Sequence, residues 1–320
     1  MNSLIENFFS KVMAGGKIER DEALEMAASR DLDGLIEASD RIRERFAGKK
    51  VQLCTIMNAR SGGCEENCKF CAQSSHYFTG IPEYKLVGAE EALSLAKANE
   101  ADGVERFSLV TSGRALTGEE FERVLSIYNG LHANTGLKLC ASLGIISYEQ
   151  AVRLRVSGVF MYHHNLETSR NYFPSICDTH SYDERVETIR SVQRAGFDVC
   201  SGGIFGLGET IEDRIDMALE LRSLGVRSVP VNILNPIPGT PLENRPALSP
   251  DEFFRSVAIY RFLLPSAEIR YAGGRANLGD QMAKGYRAGI SAALVGNFLT
   301  TIGNRIPQDL EMIRAAGLDA

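Results

Sequence analysis

The sequence predicts a (β/α)8 barrel preceded by a helical extension. Three observations carry that reading. Eight short β-rich runs begin near residue 50, and amphipathic helical stretches lie between them. No G-x-G-x-x-G turn follows the first run, as a doubly wound dinucleotide-binding sheet would require. A chain of 320 residues has the length of a one-domain barrel and hides roughly three quarters of its unfolded surface on folding.

Residues 1–48 are charged and periodic, with Asp21 and Asp31 as expected N-caps. The barrel is expected over 49–305. Its strand runs are VQLCTIMN from Val51, RFSLVTS from Arg106, LKLCASLG from Leu137 and VFMYHHN from Val159. FDVCSGGIFG from Phe197, SVPVNIL from Ser228, EIRYAGG from Glu268 and ISAALVG from Ile290 complete the eight. Helical patterns between them stop at Gly196 and Gly225, the residue type that ends helices most readily. PQDLEMIRAAG supplies a closing helix within 306–320.

Thirty-five Lys and Arg against forty-one Asp and Glu leave a net charge of −6, so no basic face invites nucleic acid. No apolar run approaches the roughly 18 residues of a membrane span. The opening MNSLIENFFSKVM is too short and mixed for a signal peptide. The expectation is a cytoplasmic protein whose seven cysteines serve metal binding, catalysis or packing rather than disulfides.

Three of those cysteines crowd one stretch, SGGCEENCKFCAQSS. Cys64, Cys68 and Cys71 follow the first strand, at the barrel mouth where catalytic loops sit. Thiolates at this spacing suit an iron–sulfur cluster or zinc, with His76 as the nearest fourth zinc ligand. A flexible loop or a redox pair is the plainer alternative. A [4Fe–4S] cube held by three thiolates keeps one corner open for a small molecule.

The C-x3-C-x2-C run, with Phe70 before its third cysteine, resembles the radical S-adenosylmethionine (SAM) enzymes. Further stretches resemble the biotin synthase family within them: NARSGGCEENCKFCAQSSHY, YHHNLETS, CSGGIFGLGET, VPVNILNPIPGTPL and IRYAGGR. The resemblance covers about 53–303. It implies SAM chelated at the open iron, one-electron cleavage to a 5′-deoxyadenosyl radical, and sulfur insertion into dethiobiotin to give biotin. A flavodoxin- or ferredoxin-type reductant and a homodimer are implied with it.

Cys54, Cys140 and Cys200 each sit inside a strand, and Arg270 sits between Ile269 and Tyr271. Buried thiols are ordinary small hydrophobes, and a buried arginine is ordinary once paired with a carboxylate. Taken together, beside the radical motif, they point to a second, sulfide-bearing cluster. The resemblance makes Cys140, Cys200 and Arg270 three of its ligands. The chain departs from the family pattern at Ser108, where a cysteine is expected. Cys54 is the candidate replacement, and the auxiliary cluster is a [2Fe–2S] unit or a larger variant. Cys177 matches no ligand position and is read as a packing residue.

For SAM, the resemblance implies Phe70, Asn165, Glu167, Arg185, Gly202 and Ile204, with GGIFGLGE as an adenine-binding turn. Arg185 reads equally as a solvated helix charge. For dethiobiotin it implies Asn232, Asn165 and His163. Asn232 lies in an apolar strand, where an unpaired amide is costly. Of the pair His163 and His164, strand alternation turns one inward. Arg275 is a candidate for a substrate carboxylate. The rival functions are another radical SAM enzyme, a lyase or mutase without the second cluster, and a non-enzymatic iron–sulfur carrier or zinc-bound scaffold.

Overall fold

Twenty helices and strands build the chain in a computed structural model that describes residues 1–297, 299–300 and 306–320. Helices α1 (Ser3–Met13), α2 (Arg20–Ala28) and α3 (Leu32–Ala47) come first. The barrel follows as β1 (Gln52–Arg60), α4 (Ala89–Ala101), β2 (Arg106–Thr111), α5 (Gly118–Asn134), β3 (Lys138–Ser142) and α6 (Tyr148–Val156). It continues through β4 (Val159–His163), α7 (Tyr182–Arg194), β5 (Asp198–Cys200), β6 (Gly203–Phe205), α8 (Ile211–Ser223) and β7 (Ser228–Ile233). It ends with α9 (Pro250–Leu263), β8 (Glu268–Tyr271), α10 (Lys284–Arg287), β9 (Ala292–Leu294) and α11 (Ile306–Ala315). The boundary expected at 305 lies outside the described residues.

All strand pairs are parallel, in the ring order β5-β4-β3-β2-β1-β9-β8-β7-β6, and a β5–β7 pairing closes it. The run FDVCSGGIFG is therefore one stave broken in two. β5 pairs with β4 and reaches β7, while β6 pairs with β7 and bridges to Glu167 beyond the end of β4. Counted so, eight staves close the barrel, as the sequence predicts.

Period-2 alternation sorts each stave. On β1, Leu53, Met57 and Ala59 are buried outward against the helices. Cys54 and Ile56 face inward and line the central cavity. Helix starts follow local chemistry. Ser147, Ser181 and Thr210 each cap through a reciprocal box with Gln150, Glu184 and Asp213. Gly196 and Gly225 end α7 and α8 at φ 85° and 67°, conformations in which a Cβ is unfavourable. Asp31 caps α3 by accepting from Gly34 N. Asp21 does not cap α2. Glu19 does, in a box with Glu22, and Asp21 sits in the first turn, where its charge favours the helix N-terminus.

The last residue of GGIFGLGE is an anchor for the loop. Glu209 accepts from Gly206 N (2.9 Å) and Gly208 N (3.0 Å) and pairs with the fully buried Arg214 at 2.6 Å. Arg214 also reaches Glu252 at 2.8 Å. Breaking a buried pair strands its partner's charge, so Glu209→Ala is expected to cost about 3 kcal/mol, read as a lower urea midpoint with an unchanged m-value.

Candidate active site

The staves enclose a cavity of about 400 Å³. Its floor is made by the N-terminal halves of the strands. Register sets Cys54 opposite Arg106, Ser108 opposite Cys140, Cys200 opposite Ser228 and Arg270 opposite Pro230. All eight of these side chains line the cavity. The four residues Cys54, Cys140, Cys200 and Arg270, far apart in sequence, thus converge on the cavity floor.

Arg270 Nη1 donates to Cys54 Sγ at 3.2 Å, to Gln52 O at 3.1 Å and to Ala293 O at 3.2 Å. Its Nη2 donates to Glu268 Oε2 at 3.1 Å. Arg106 forks onto the same carboxylate, at 2.8 and 3.1 Å. One glutamate is therefore shared by two buried guanidiniums, which leaves one positive charge over for an anion. No motif in the sequence marks Arg106 or Glu268, although Arg106 stands two residues before Ser108 and shares its face by strand periodicity. Burial pushes all three floor thiols up, and nearby Arg270 opposes that for each. Ser228 Oγ donates to Cys200 Sγ at 3.4 Å.

These donors suit an anionic sulfide cluster. Three soft sulfurs face two cations, and Arg106 Nε is buried with no hydrogen-bond partner among the described residues. Ser108 lines the floor beside them but offers a hydroxyl, a weak iron ligand in this setting.

The mouth carries the loop after β1. Cys64 N donates to Gln73 O, Ser75 N to Cys64 O and Cys71 N to Cys68 O, so all three cysteines sit on a hydrogen-bonded turn. Burial pushes Cys71 up to about 11, and the neighbouring Cys64 and Glu167 add to it. Phe70 and Cys71 line the cavity rim. Three thiols on one turn suit a cube with one corner left to another ligand.

Across the mouth, Asn165 and Glu167 extend β4. Arg185 is buried, not a solvated charge. It donates to Asn165 O (2.8 Å) and His180 Nε2 (3.0 Å) and lies 3.5 Å from Glu167. Arginine only donates, so His180 carries its proton on Nδ1 and gives it to Glu66 Oε2 at 2.5 Å. Glu167, at φ 70°, is the one non-glycine residue with positive φ among the described residues. Its O accepts from Ile204 N at 2.9 Å and its N donates to Gly202 O at 3.1 Å. Gly202 packs against β7, where a Cβ would lie 1.9 Å from Pro230 O. Ile204 faces the cavity.

Asn232 also lines the cavity, but its amide is not unpaired. Its Nδ2 donates to Gly203 O (3.0 Å) and its Oδ1 accepts from Gly273 N (2.9 Å). One N–H and one lone pair remain for a ligand. Arg275 is buried and pairs with Asp309 on α11 at 2.5 Å, which accounts for its charge without a substrate. Cys177, read as packing, lies 3.7 Å from Cys68 Sγ and 3.3 Å from His180 Nδ1. No local signal marks that contact in the sequence.

His163 faces the cavity, and burial lowers its pKa to about 4. Its folded pKa lies below the unfolded value of about 6.5, so below that pH the unfolded chain binds more protons. Stability of the cluster-free chain is expected to fall as pH drops from about 6.5 towards 4, and to fall less steeply in His163→Asn, as read by urea midpoints across that range.

Comparison with known proteins bears on the whole chain. The Radical SAM superfamily model matches residues 59–221, and the Biotin and Thiamin Synthesis associated domain matches residues 230–319. A biotin synthase of Acetivibrio thermocellus is 54% identical over 318 residues, 99% of this chain and 98% of that one. A biotin synthase of Clostridium tetani is 52% identical, covering 99% of each chain. Among solved structures, methylornithine synthase superposes with a TM-score of 0.83 at 20% identity over 98% of this chain and 96% of that one. The [FeFe]-hydrogenase maturase HydG of Carboxydothermus hydrogenoformans gives 0.80 at 19% identity, over 98% and 78%. At those identities the two structures speak for the barrel alone.

Proposed function

The chain belongs to the biotin synthase family of radical SAM enzymes, and from that premise we propose how its residues are divided between two clusters, a cofactor and a substrate. The enzyme inserts sulfur into dethiobiotin to give biotin, using a [4Fe–4S] cluster, SAM, an auxiliary iron–sulfur cluster and a reductant. When bound, the first cluster supplies the electron that splits SAM into a 5′-deoxyadenosyl radical, and the auxiliary cluster supplies sulfide.

Cys64, Cys68 and Cys71 hold the [4Fe–4S] cluster. Binding requires each thiol to lose its proton, so loading releases protons and is opposed by the raised Cys71 pKa. Cys54, Cys140, Cys200 and Arg270 hold the auxiliary cluster, with Cys54 standing in for the missing thiol at Ser108. Its composition is a [2Fe–2S] unit or a larger variant. The observation that carries this division is the floor layer, where three thiols and two guanidiniums converge below the polar mouth.

Phe70, Asn165, Glu167, Arg185, Gly202 and Ile204 seat SAM. Ile204 gives an apolar face for the adenine. Glu167 accepts from ribose hydroxyls, and Arg185, held by Asn165 O and His180, supplies the cation for the methionine carboxylate. Gly202 acts by letting the broken stave lie against β7, which sets Ile204 in the wall. Asn232, Asn165 and His163 orient dethiobiotin. With its pKa near 4, His163 stays neutral at pH 7 and can both donate to and accept from an uncharged cyclic urea.

The reading also takes 1–48 as a helical extension, 49–305 as the barrel and 306–320 as a closing helix. It includes a flavodoxin- or ferredoxin-type electron donor and a homodimer. No helix among the described residues is long and apolar enough to cross a membrane, and the described cysteines are all free thiols. A cytoplasmic location fits that thiol chemistry.

The test is anaerobic incubation of the reconstituted chain with SAM, dithionite and dethiobiotin, followed by mass analysis. Biotin and 5′-deoxyadenosine are expected together. Deoxyadenosine without biotin would remove the substrate assignment and leave a radical SAM enzyme of another kind. Iron content is expected well above the four atoms or so of a single cube. Cys68→Ala is expected to lose both products. Cys200→Ala should keep SAM cleavage, lose biotin and fall towards one cube's iron. Cys54→Ala should behave like Cys200→Ala, whereas Ser108→Ala should retain the auxiliary iron.

A further inference from the structure

Cys177 has no part in the reaction derived above, yet the fold brings its sulfur to 3.7 Å from that of Cys68, across 109 residues of sequence. The approach is held from both sides. Lys69 N donates to Ile176 O at 2.9 Å. Asn67 Nδ2 donates to Asp178 Oδ1 at 2.5 Å, and Asp178 N donates back to Asn67 Oδ1 at 3.1 Å. The residues flanking Cys68 are thus bonded to the residues flanking Cys177. The two thiols are the facing pair between those bonds, and both are buried.

We propose that, in the chain without its [4Fe–4S] cluster, Cys68 and Cys177 close a reversible disulfide that must be reduced before the cluster is built. The sulfurs have to approach from 3.7 Å to about 2.05 Å, a movement that side-chain rotation can supply. The oxidant is a low-molecular-weight disulfide such as oxidised glutathione. One cysteine thiolate attacks it, forms a mixed disulfide and releases one small thiol. The second cysteine attacks the protein-side sulfur and releases the other. Two cysteine S–H bonds and one small-molecule S–S bond are lost, and one protein S–S bond and two thiols are gained. Two electrons pass from the cysteines to the small disulfide.

The bond keeps Cys68 in an oxidation state that thiols reverse, rather than leaving it to reach sulfinic acid, which they do not. It also excludes cluster loading, because one sulfur cannot serve both. That consequence rests on Cys68 being a cluster ligand. The bond itself rests on the contact alone.

The experiment uses the full-length, cluster-free chain, treated anaerobically with oxidised glutathione, alkylated, and cut after Glu, Lys and Arg. Those cuts isolate Cys68 between Asn67 and Lys69, apart from Cys64 and Cys71. The expected product joins this fragment to the one holding Cys177. The joined fragment should be lost in Cys177→Ser and kept in Cys64→Ser. In parallel, the oxidised parent should lack the cube's four or so irons, keeping at most the auxiliary cluster's iron, until a thiol is added. Cys68 found joined to Cys64 or Cys71, left free, or only glutathionylated, in a chain with native circular dichroism, would overturn the proposal. So would failure of Cys177→Ser to take up iron anaerobically to the parent's level, since Cys177 would then be a ligand. If Cys64→Ser forms the bond while the thiol-treated parent gains no iron over the oxidised chain, the disulfide stands and the ligand assignment of Cys68 fails.

Discussion

The cavity depends on how closely the broken fifth stave lies against β7. Cys200 pairs with Ser228, Ser201 N donates to Ser228 O at 2.9 Å, and Gly203 pairs with Val231. Between these contacts Gly202 has no room for a Cβ, with Pro230 O 1.9 Å from where one would stand. Gly203 is equally tight, against Glu167 O at 2.3 Å. The ring closes at that seam, and the seam also sorts chemistry by depth. The residue before the break, Cys200, belongs to the floor. The residue after it, Ile204, belongs to the mouth. A bulkier residue at either glycine would push the fifth stave outward and separate both groups from their partners across the barrel.

Below the seam, the energetics explain why the floor holds these residue types. A buried guanidinium is expensive unless its hydrogens are used. Arg270 gives them to two backbone carbonyls, a carboxylate and a thiol, and Arg106 shares the same carboxylate. The paired charge makes the layer tolerable, and Glu268 is half-exposed at the barrel's outer end, where solvent helps it. The thiols, pushed up by burial, are neutral without metal. Loading an anionic cluster would therefore set negative sulfur against a layer in which two guanidiniums share one carboxylate.

The fold was legible because its signals are local. Strand runs, glycine stops and reciprocal caps lie within a few residues of the features they set. The floor was partly legible, since period-2 alternation and four unusual side chains on separate strands point inward together. Arg106 and Glu268 escaped because a charge on the first residue of a strand reads as surface, and only barrel closure brings β2 near β8. Asn232 was placed in the cavity for a wrong reason. Its backbone partners, Gly203 and Gly273, come from the two staves beside it, and no single segment announces them. Asp21 lost the cap of α2 to Glu19 because the capping box with Glu22 satisfies two backbone groups at once. Cys177 needed a contact across 109 residues, beyond any pattern in its own loop.

Under the proposed ligand set, Cys54 takes the place of the thiol that Ser108 lacks. Ser108 pairs with Cys140, the position where the resemblance expects a thiol. Cys54 lies on the next stave, opposite Arg106, two residues nearer the barrel floor than Ile56, the residue that faces Ser108. Relative to Ser108, the Cys54 thiol stands one strand to the side and one inward position lower, 3.2 Å from Arg270 Nη1. Ser108 lines the cavity above it with a side chain of about a cysteine's size. Under the proposed ligand set the serine is compatible with the auxiliary cluster, because its hydroxyl is not asked to bind iron.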